Sequence, residues 1–451
     1  MRYLSCFSCL LALFSLACSA QKAHAPMYDL EPMPKIVVEK FPYATLEFEQ
    51  DPSQLSALKT QNPHHPQSYK KHFFSAWHGS FEGVRKNDAF WSFEGYKRGE
   101  YYFFNKQKIP DQWFDEGIQN ANISALGTKS QKALVVQNAF LKNFPTQRAL
   151  LKYPFRDSEG IPFDYALDSV LNAGSAVLIS HFSKDRRYAF VLSEGGMGFV
   201  EAENLEIFSE RRAQIYENLP LITPLRERMP VWDEDGKFFF ETRIGALYPY
   251  YKDDAKYYYG KIGAKKYKIA KNQASPFPLA FNDANLKRQI GELLGLPYGW
   301  GGYDFERDCS LFLRDIFAPF GIYLPRNSLA QNNAFTHFDV RFLSNEQKQD
   351  FLKKFGKAYL TFIYMRGHIM LYAGTLRGEN VAIHDIWGLR LGEFDRLLIA
   401  QSAITSLEIG RGEVSEENLL LSKIEEFSFV ELNEKEKASI ENYLQGLKTQ
   451  P

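Results

Sequence analysis

The distribution of cysteines is the feature that most constrains this chain. Cys6, Cys9 and Cys18 lie close to the N-terminus, and Cys309 is the only cysteine in the rest of the sequence. No intramolecular disulfide can therefore form in the body of the chain, so its domains must be stabilised by buried apolar side chains. A lone thiol in an oxidising compartment is either buried and inert or used chemically, and both interpretations are open here.

The N-terminus has the layout of a secretory signal. Arg2 precedes an apolar run from Leu4 to Ala17, which small residues follow. The run is shorter than the ~18–20 apolar residues that span a bilayer, and no later segment comes close, so we predict an exported protein of the periplasm or cell envelope. Ser15-Leu16-Ala17-Cys18 is similar to a lipoprotein processing site, whereas Cys18-Ser19-Ala20 fits ordinary cleavage. Lipidation of Cys18 stays open.

Length and charge limit the architecture and the partners. A chain of 451 residues exceeds the roughly 250–300 at which single cores stop growing, so several domains are expected. Lys+Arg and Asp+Glu are equal at 54 each, so no net field favours nucleic acid or an anionic membrane. We expect membrane contact only through a lipid on Cys18.

Changes in pattern divide the chain into segments. We predict an export signal at 1–20, an extended leader at 21–66 with one short strand at 35–39, and an α-rich domain at 67–153. Two small β-barrels at 154–210 and 211–272 follow, and a C-terminal domain occupies 273–451. Within these segments we predict an amphipathic helix over Lys129–Phe144 and a Pro-bearing linker over Ala270–Leu279, and we interpret Trp77-His78 as structural.

Short β-rich runs separated by charged or Gly-containing turns predict the barrels. The first has runs at 176–179, 188–192 and 198–200, and the second has runs at 221–222, 229–232, 238–240 and 246–248. The aromatic run Tyr257-Tyr258-Tyr259 is explained by packing more readily than by ligand binding.

Cys309 lies at the predicted start of a helix. Asp308-Cys309-Ser310 precede apolar residues spaced by about 3.6, and the glycine-rich loop 298–302 comes just before them. The partial positive charge of a helix N-terminus stabilises a thiolate, so this position favours a nucleophile over an inert thiol.

A thiol nucleophile needs a base, and two strand histidines are candidates. His368 and His384 are equidistant from Leu376, the centre of the predicted hairpin turn, so an unbulged turn would place them directly opposite each other. One imidazole could then orient the other. The alternative is two unrelated strand histidines, and His337 is interpreted as a loop residue.

Several ordered motifs resemble the NlpC-type family of papain-like cell-wall peptidases, over about 285–391. They are Tyr298-Gly299-Trp300-Gly301-Gly302, Arg307-Asp308-Cys309-Ser310, Leu324-Pro325-Arg326-Asn327-Ser328 with Gln331, Gly367-His368-Ile369-Met370-Leu371-Tyr372-Ala373-Gly374, and Ile383-His384. The upstream part resembles a subgroup with an N-terminal stabilising domain and paired bacterial SH3-like domains. The expected fold is multidomain α+β, in which an α-rich domain and two SH3-like barrels precede a papain-like domain with its Cys helix on an antiparallel sheet.

The resemblance implies a Cys-His-His triad without metal or cofactor. In it Cys309 attacks an amide, His368 is the base and His384 orients His368. Tyr298 would line the site near the oxyanion, while Asp308 and Ser310 would recognise the amino end of a peptide. Family members of this architecture typically cleave the γ-D-glutamyl–diamino acid (diaminopimelate) bond of peptidoglycan stem peptides through a thioester. Leu311 replaces a common Gly, which bears on sub-site shape.

Other functions use the same residues. An N-acetylmuramoyl-L-alanine amidase or an acyltransferase would also form a thioester. A wall-binding protein with an inactive catalytic domain is disfavoured because the residues of the triad are all present. A zinc site is disfavoured because a lone Cys309 with two histidines lacks the close CxxC or HExxH pairing that marks zinc. We further infer that the first SH3-like domain closes one end of the cleft and so favours soluble muropeptides over glycan-linked peptides.

Overall fold

The computed structural model describes residues 42–59, 66–152, 154, 160–393 and 395–449. The export signal, Cys18 and the strand predicted at 35–39 lie outside these residues. Within the described ranges, no helix is both long and apolar enough to cross a membrane.

The N-terminal region is built from short helices around an aromatic core. The helices are α1 (Pro66–Phe73), α2 (Lys86–Ala89), α3 (Trp91–Arg98) and α4 (Asp111–Asn120). Phe90, Tyr96 and Phe114 are buried together with Phe144, so aromatic packing holds these short elements in place. Trp77 is buried, and its indole N–H donates to the carbonyl of Ala133 at 2.9 Å, which fits the structural role predicted for it.

The first β-unit is a seven-stranded antiparallel sheet in the order β3-β2-β6-β5-β4-β1-β7. Its strands are β1 (Gln131–Val135), β2 (Ala139–Lys142), β3 (Leu167–Leu171), β4 (Ala176–Phe182), β5 (Tyr188–Ser193), β6 (Gly196–Glu201) and β7 (Leu205–Ile207). The strands predicted at 176–179, 188–192 and 198–200 are confirmed. The helix predicted over Lys129–Phe144 is wrong, because β1 pairs with β4 and β2 with β3, and this pairing buries both strands.

The second β-unit follows helix α5 (Glu210–Glu217), which the Ser209 side chain caps. Its five-stranded sheet has the order β13-β12-β11-β8-β14, and β9 and β10 form a separate hairpin. The strands are β8 (Leu221–Pro224), β9 (Pro230–Trp232), β10 (Phe238–Glu241), β11 (Tyr248–Asp253), β12 (Tyr257–Ile262), β13 (Lys265–Ala270) and β14 (Ala274–Pro276). The predicted linker Ala270–Leu279 is therefore partly strand, since β14 pairs with β8 at the sheet edge.

The C-terminal domain packs helices on a six-stranded antiparallel sheet in the order β15-β20-β16-β17-β18-β19. The strands are β15 (Thr336–Asp339), β16 (Thr361–Met365), β17 (His368–Leu376), β18 (Glu379–Arg390), β19 (Arg396–Ser406) and β20 (Glu426–Phe429). The helices are α6 (Asp283–Leu293), α7 (Cys309–Phe317), α8 (Ser328–Asn333), α9 (Asn345–Phe355), α10 (Leu420–Lys423) and α11 (Glu434–Lys448). His337 lies in β15, so its interpretation as a loop residue is wrong. The predicted multidomain α+β fold is confirmed.

A buried ion network joins the second β-unit to the C-terminal domain. Arg307 donates from Nη1 to Glu227 Oε1 at 2.9 Å and from Nε to Asp315 Oδ2 at 2.8 Å. Its Nη2 also donates to the carbonyl of Ile244 at 3.1 Å. Because Glu227 and Ile244 belong to the second β-unit and Asp315 to α7, this guanidinium fixes the position of the cysteine helix relative to the barrel.

Candidate active site

Cys309 is the first residue of α7. Asp308 caps the helix, since its Oδ1 accepts the N–H of Leu311 at 2.9 Å. The thiol is 7% exposed and accepts the backbone N–H of Ile369, the residue after His368. The predicted helix start is confirmed, and it brings the sulfur against the first residues of β17.

Burial sets the resting protonation of the thiol and the nearest histidine. It raises the pKa of Cys309 to about 12, and the charge of Asp308 acts in the same direction. Burial also lowers the pKa of His368 to about 4, although Asp308 opposes this shift. At neutral pH the pair is therefore a thiol and a neutral imidazole, because burial outweighs the stabilisation of a thiolate by the helix N-terminus.

The two strand histidines are hydrogen-bonded to each other. His368 Nε2 lies 2.9 Å from His384 Nδ1, and the rings are tilted by 58°. His384 is completely buried, and burial lowers its pKa, so it is neutral as well. Its other ring nitrogen, Nε2, lies 2.9 Å from Thr405 Oγ1.

The contact between the histidines is diagonal rather than direct. Leu371 pairs with Ile383, and the register shifts before the hairpin turn. Continued along the strands, this register puts His368 and His384 two residues out of opposition, so the prediction of direct opposition about Leu376 is wrong. Imidazole rings are long enough to meet across a diagonal, which explains why the hydrogen bond still forms.

Asp308 and Ser310 have internal partners in this site. Arg326 donates to both oxygens of the Asp308 carboxylate, and its Nη1 also donates to Ser310 Oγ at 2.9 Å. Asp308 also accepts from Ser310 Oγ at 2.9 Å and from the N–H of Gly301 at 3.1 Å. A substrate group at this carboxylate must therefore share it with Arg326, a residue of a recognised motif for which the sequence suggested no role.

An aromatic side chain of the first β-unit reaches the site. The ring of Phe163 lies 6.2 Å from Tyr298, 6.0 Å from Trp300 and 5.6 Å from Trp387. Burial raises the pKa of the Tyr298 hydroxyl, and the neighbouring Cys309 and Asp308 act in the same direction. Aromatic side chains from two domains thus meet at Tyr298, and no local motif marked Phe163.

Asp385 is a further buried group beside the triad. Its side chain is 1% exposed, and its Oδ1 has no hydrogen-bond partner among the described residues. Burial, followed by the charge of Asp308, raises its pKa. Its place directly after His384 is the only sequence signal that could have drawn attention to it. Among the described residues, no group of three or more His, Cys, Asp and Glu side chains is arranged to hold a metal ion.

Family models match four parts of the chain. Residues 5–126 match the NLPC_P60 N-terminal stabilising domain, and residues 150–201 and 209–255 match SH3 domains of the SH3b1 and SH3b2 types. Residues 295–388, which include Cys309, His368 and His384, match the NlpC/P60 family. No curated protein sequence matches the chain.

Two solved structures are similar to this chain. An NlpC/P60 endopeptidase from Photobacterium damselae subsp. piscicida is 22% identical with a TM-score of 0.75, and the match covers 87% of this chain and 99% of that one. An NlpC/P60 family protein from Bacillus cereus ATCC 10987 is 18% identical with a TM-score of 0.46, over 66% of this chain and 98% of that one. The first of these likenesses supports the fold described above.

Proposed function

Because the chain belongs to the NlpC/P60 family of cell-wall peptidases, we propose that it is an exported cysteine endopeptidase cleaving the γ-D-glutamyl–diaminopimelate bond of peptidoglycan stem peptides. The observation that carries the proposal is the arrangement of Cys309, at a helix N-terminus, against the strand that begins with the hydrogen-bonded His368. Export rests on the apolar run 4–17, and lipidation of Cys18 stays a prediction.

The geometry supports a general-base mechanism from a neutral pair. As the sulfur of Cys309 attacks the amide carbon, Nδ1 of His368 takes the thiol proton. His368 then protonates the leaving amine of diaminopimelate, which leaves a thioester on Cys309. Water, deprotonated by the same imidazole, hydrolyses the thioester to the γ-carboxylate of D-glutamate and the free thiol. His384 keeps the ring of His368 oriented throughout.

The oxyanion is proposed to form next to the start of α7. Backbone N–H groups in a first helical turn have no partner within the helix, so those of Cys309 and Ser310 can donate to a developing negative charge. The hydroxyl of Tyr298, neutral because its pKa is raised, is a further donor for this position.

The same geometry favours short substrates. The ring of Phe163 from the first β-unit lies 6.2 Å from Tyr298 and 5.6 Å from Trp387, and we propose that it closes one end of the cleft. A peptide with a free amino terminus fits this closed end, whereas a glycan would meet the barrel. Asp308 and Ser310 remain the proposed contacts of the amino end, and Arg326 holds both in place.

Mass spectrometry of the products tests this proposal. Wild-type protein and the Cys309→Ala variant are each incubated with L-Ala-γ-D-Glu-diaminopimelate and with its glycan-linked form. We expect wild type alone to release diaminopimelate, leaving L-Ala-γ-D-Glu from the free tripeptide and glycan-bound L-Ala-γ-D-Glu from the linked form, and to act faster on the free tripeptide. Cleavage before L-Ala would instead indicate an N-acetylmuramoyl-L-alanine amidase. Transfer of the acyl group to an added amine would indicate an acyltransferase. Binding without turnover would indicate a wall-binding protein, and turnover by Cys309→Ala would exclude this nucleophile.

A further inference from the structure

The histidine pair ends at a buried hydroxyl on the neighbouring strand. Thr405 lies in β19, directly opposite Ala382 of β18, and its side chain is 1% exposed. Its Oγ1 lies 2.9 Å from Nε2 of His384, which is itself fully buried. No other described residue supplies a hydrogen-bond partner to this nitrogen, so Thr405 determines whether the nitrogen is satisfied.

The donor and the acceptor can be assigned for each hydrogen bond from His368 through His384 to Thr405. Nε2 of His368 is hydrogen-bonded to His384, so Nδ1 of His368 is the nitrogen left to accept the thiol proton. An Nδ1 with a free lone pair requires the proton of neutral His368 to be on Nε2, which then donates to Nδ1 of His384. Neutral His384 must in turn carry its proton on Nε2 and donate it to Thr405 Oγ1.

We propose that Thr405 is a positioning residue that fixes the tautomers of both histidines by accepting a hydrogen bond from His384. This inference rests on the proposed function, because it assigns a role relative to the base of that reaction. Without the acceptor, the tautomer of His384 with its proton on Nδ1 avoids a buried, unpaired N–H. In that tautomer, the Nδ1–H of His384 points at Nε2 of His368, which must then act as an acceptor. The proton of His368 therefore moves to Nδ1, and this nitrogen can no longer accept the thiol proton.

The alternative is that Thr405 only fills space in the sheet. A valine has nearly the same shape but no oxygen, so Thr405→Val separates the two roles. If packing were the only role, Thr405→Val would fold and react like wild type. If the hydroxyl matters, Thr405→Ser, which restores the oxygen but not the methyl group, should recover most of the loss.

Steady-state kinetics on L-Ala-γ-D-Glu-diaminopimelate give the first readout. We expect Thr405→Val to lower kcat by roughly 10- to 100-fold with KM unchanged, less than the ~10⁴-fold that follows when a triad histidine takes the wrong tautomer outright. Thr405→Ser should recover most of this loss. A Thr405→Val protein that is folded and keeps kcat within about twofold of wild type would overturn the proposal. Thr405→Ala, which also lacks the oxygen, replaces Thr405→Val if the latter does not fold.

A readout independent of the substrate separates this inference from the proposed function. Iodoacetamide alkylation of Cys309, followed through its peptide by mass spectrometry in the full chain, reports base assistance by His368. Imidazole ¹⁵N shifts report which nitrogen of His384 carries the proton. We expect slower alkylation and a shift of the proton from Nε2 to Nδ1 in Thr405→Val. If wild type cleaves no stem peptide, the proposed function fails, and these two measurements still decide on Thr405.

Discussion

Arg326 donates two hydrogen bonds to the carboxylate of Asp308, from Nη2 to Oδ2 at 2.7 Å and from Nη1 to Oδ1 at 3.1 Å. Asp308 is buried and Arg326 is mostly buried beside Cys309, so the guanidinium offsets a negative charge that would otherwise raise the thiol pKa further. The same carboxylate caps α7. The Asp308–Arg326 pair therefore stabilises the start of the helix and also sets the charge beside the nucleophile.

Removing Arg326 alone should be costly. Arg326→Met leaves a buried carboxylate without its ion-pair partner, and we expect the free energy of unfolding to fall by about 3–5 kcal/mol. Asp308→Asn removes the charge but keeps a capping side chain, so the double variant should regain part of this loss. Denaturant unfolding of the four proteins checks both statements. A loss below about 1 kcal/mol in Arg326→Met would show that the pair is not stabilising.

Gly301 should tolerate no side chain. Its φ is +67°, and a Cβ built on it would lie 2.5 Å from the carbonyl oxygen of Leu167 in the first β-unit. Gly301→Ala should therefore separate the barrel from the catalytic loop, lowering both the thermal midpoint and kcat. Gly236→Ala is the matched control, since Gly236 has a φ of +74° with nothing within 4 Å, and should show only the ~1–2 kcal/mol backbone cost. Equal effects in the two variants would refute the contact.

Phe163 should control which substrates enter. Phe163→Ala removes the ring that lies against Trp387, so we expect kcat/KM for the glycan-linked substrate to rise relative to that for the free tripeptide by about tenfold, equivalent to ~1.4 kcal/mol. Ile161→Ala, at an exposed neighbouring position of the same segment, should leave this ratio unchanged. An unchanged ratio in Phe163→Ala would mean that this ring does not limit the cleft.

The histidine pair should make the fold sensitive to acid. Burial lowers the pKa of His368 to about 4 and that of His384 also falls, while an unfolded histidine titrates near 6.5. Between these values the unfolded chain binds more protons than the folded one. The stability contributed by the neutral histidines is thus complete above about pH 6.5 and is lost as the pH falls towards 4.

Unfolding midpoints between pH 7 and pH 4.5 test this dependence. The wild type should lose up to about 1.4 kcal/mol per pH unit for each histidine relative to a His368→Gln, His384→Gln double variant. Parallel curves for the two proteins would contradict the assignment. Activity of the folded protein should fall only as the pH approaches about 4, since protonated His368 cannot accept the thiol proton.

Local sequence was sufficient for the residues that lie within one turn or strand. The Asp308 cap and the start of α7 follow from side chains a few positions apart, and His368 and His384 were recognised on neighbouring strands. The register of these two strands was not predicted, because a shift near the turn changes which residues oppose one another without altering the apolar pattern.

Non-local contacts account for what the sequence did not reveal. Lys129–Phe144 has helical apolar spacing, yet its residues form strands because β3 and β4 offer partners that no local pattern displays. Thr405 and Phe163 come to the site from a third strand and another domain, so nothing in their immediate neighbours marks them.

The buried guanidinium of Arg307 also limits how the catalytic domain and the barrels can be separated or exchanged. Its partners Glu227 and Ile244 lie in the second β-unit, so a catalytic domain cut out at that boundary would retain the cation and lose these acceptors. Asp315 would then be the only described carboxylate left hydrogen-bonded to this cation, which lies two residues before the nucleophile. The barrels are therefore not interchangeable modules, and a chimera carrying a foreign barrel would need its own carboxylate at the position of Glu227.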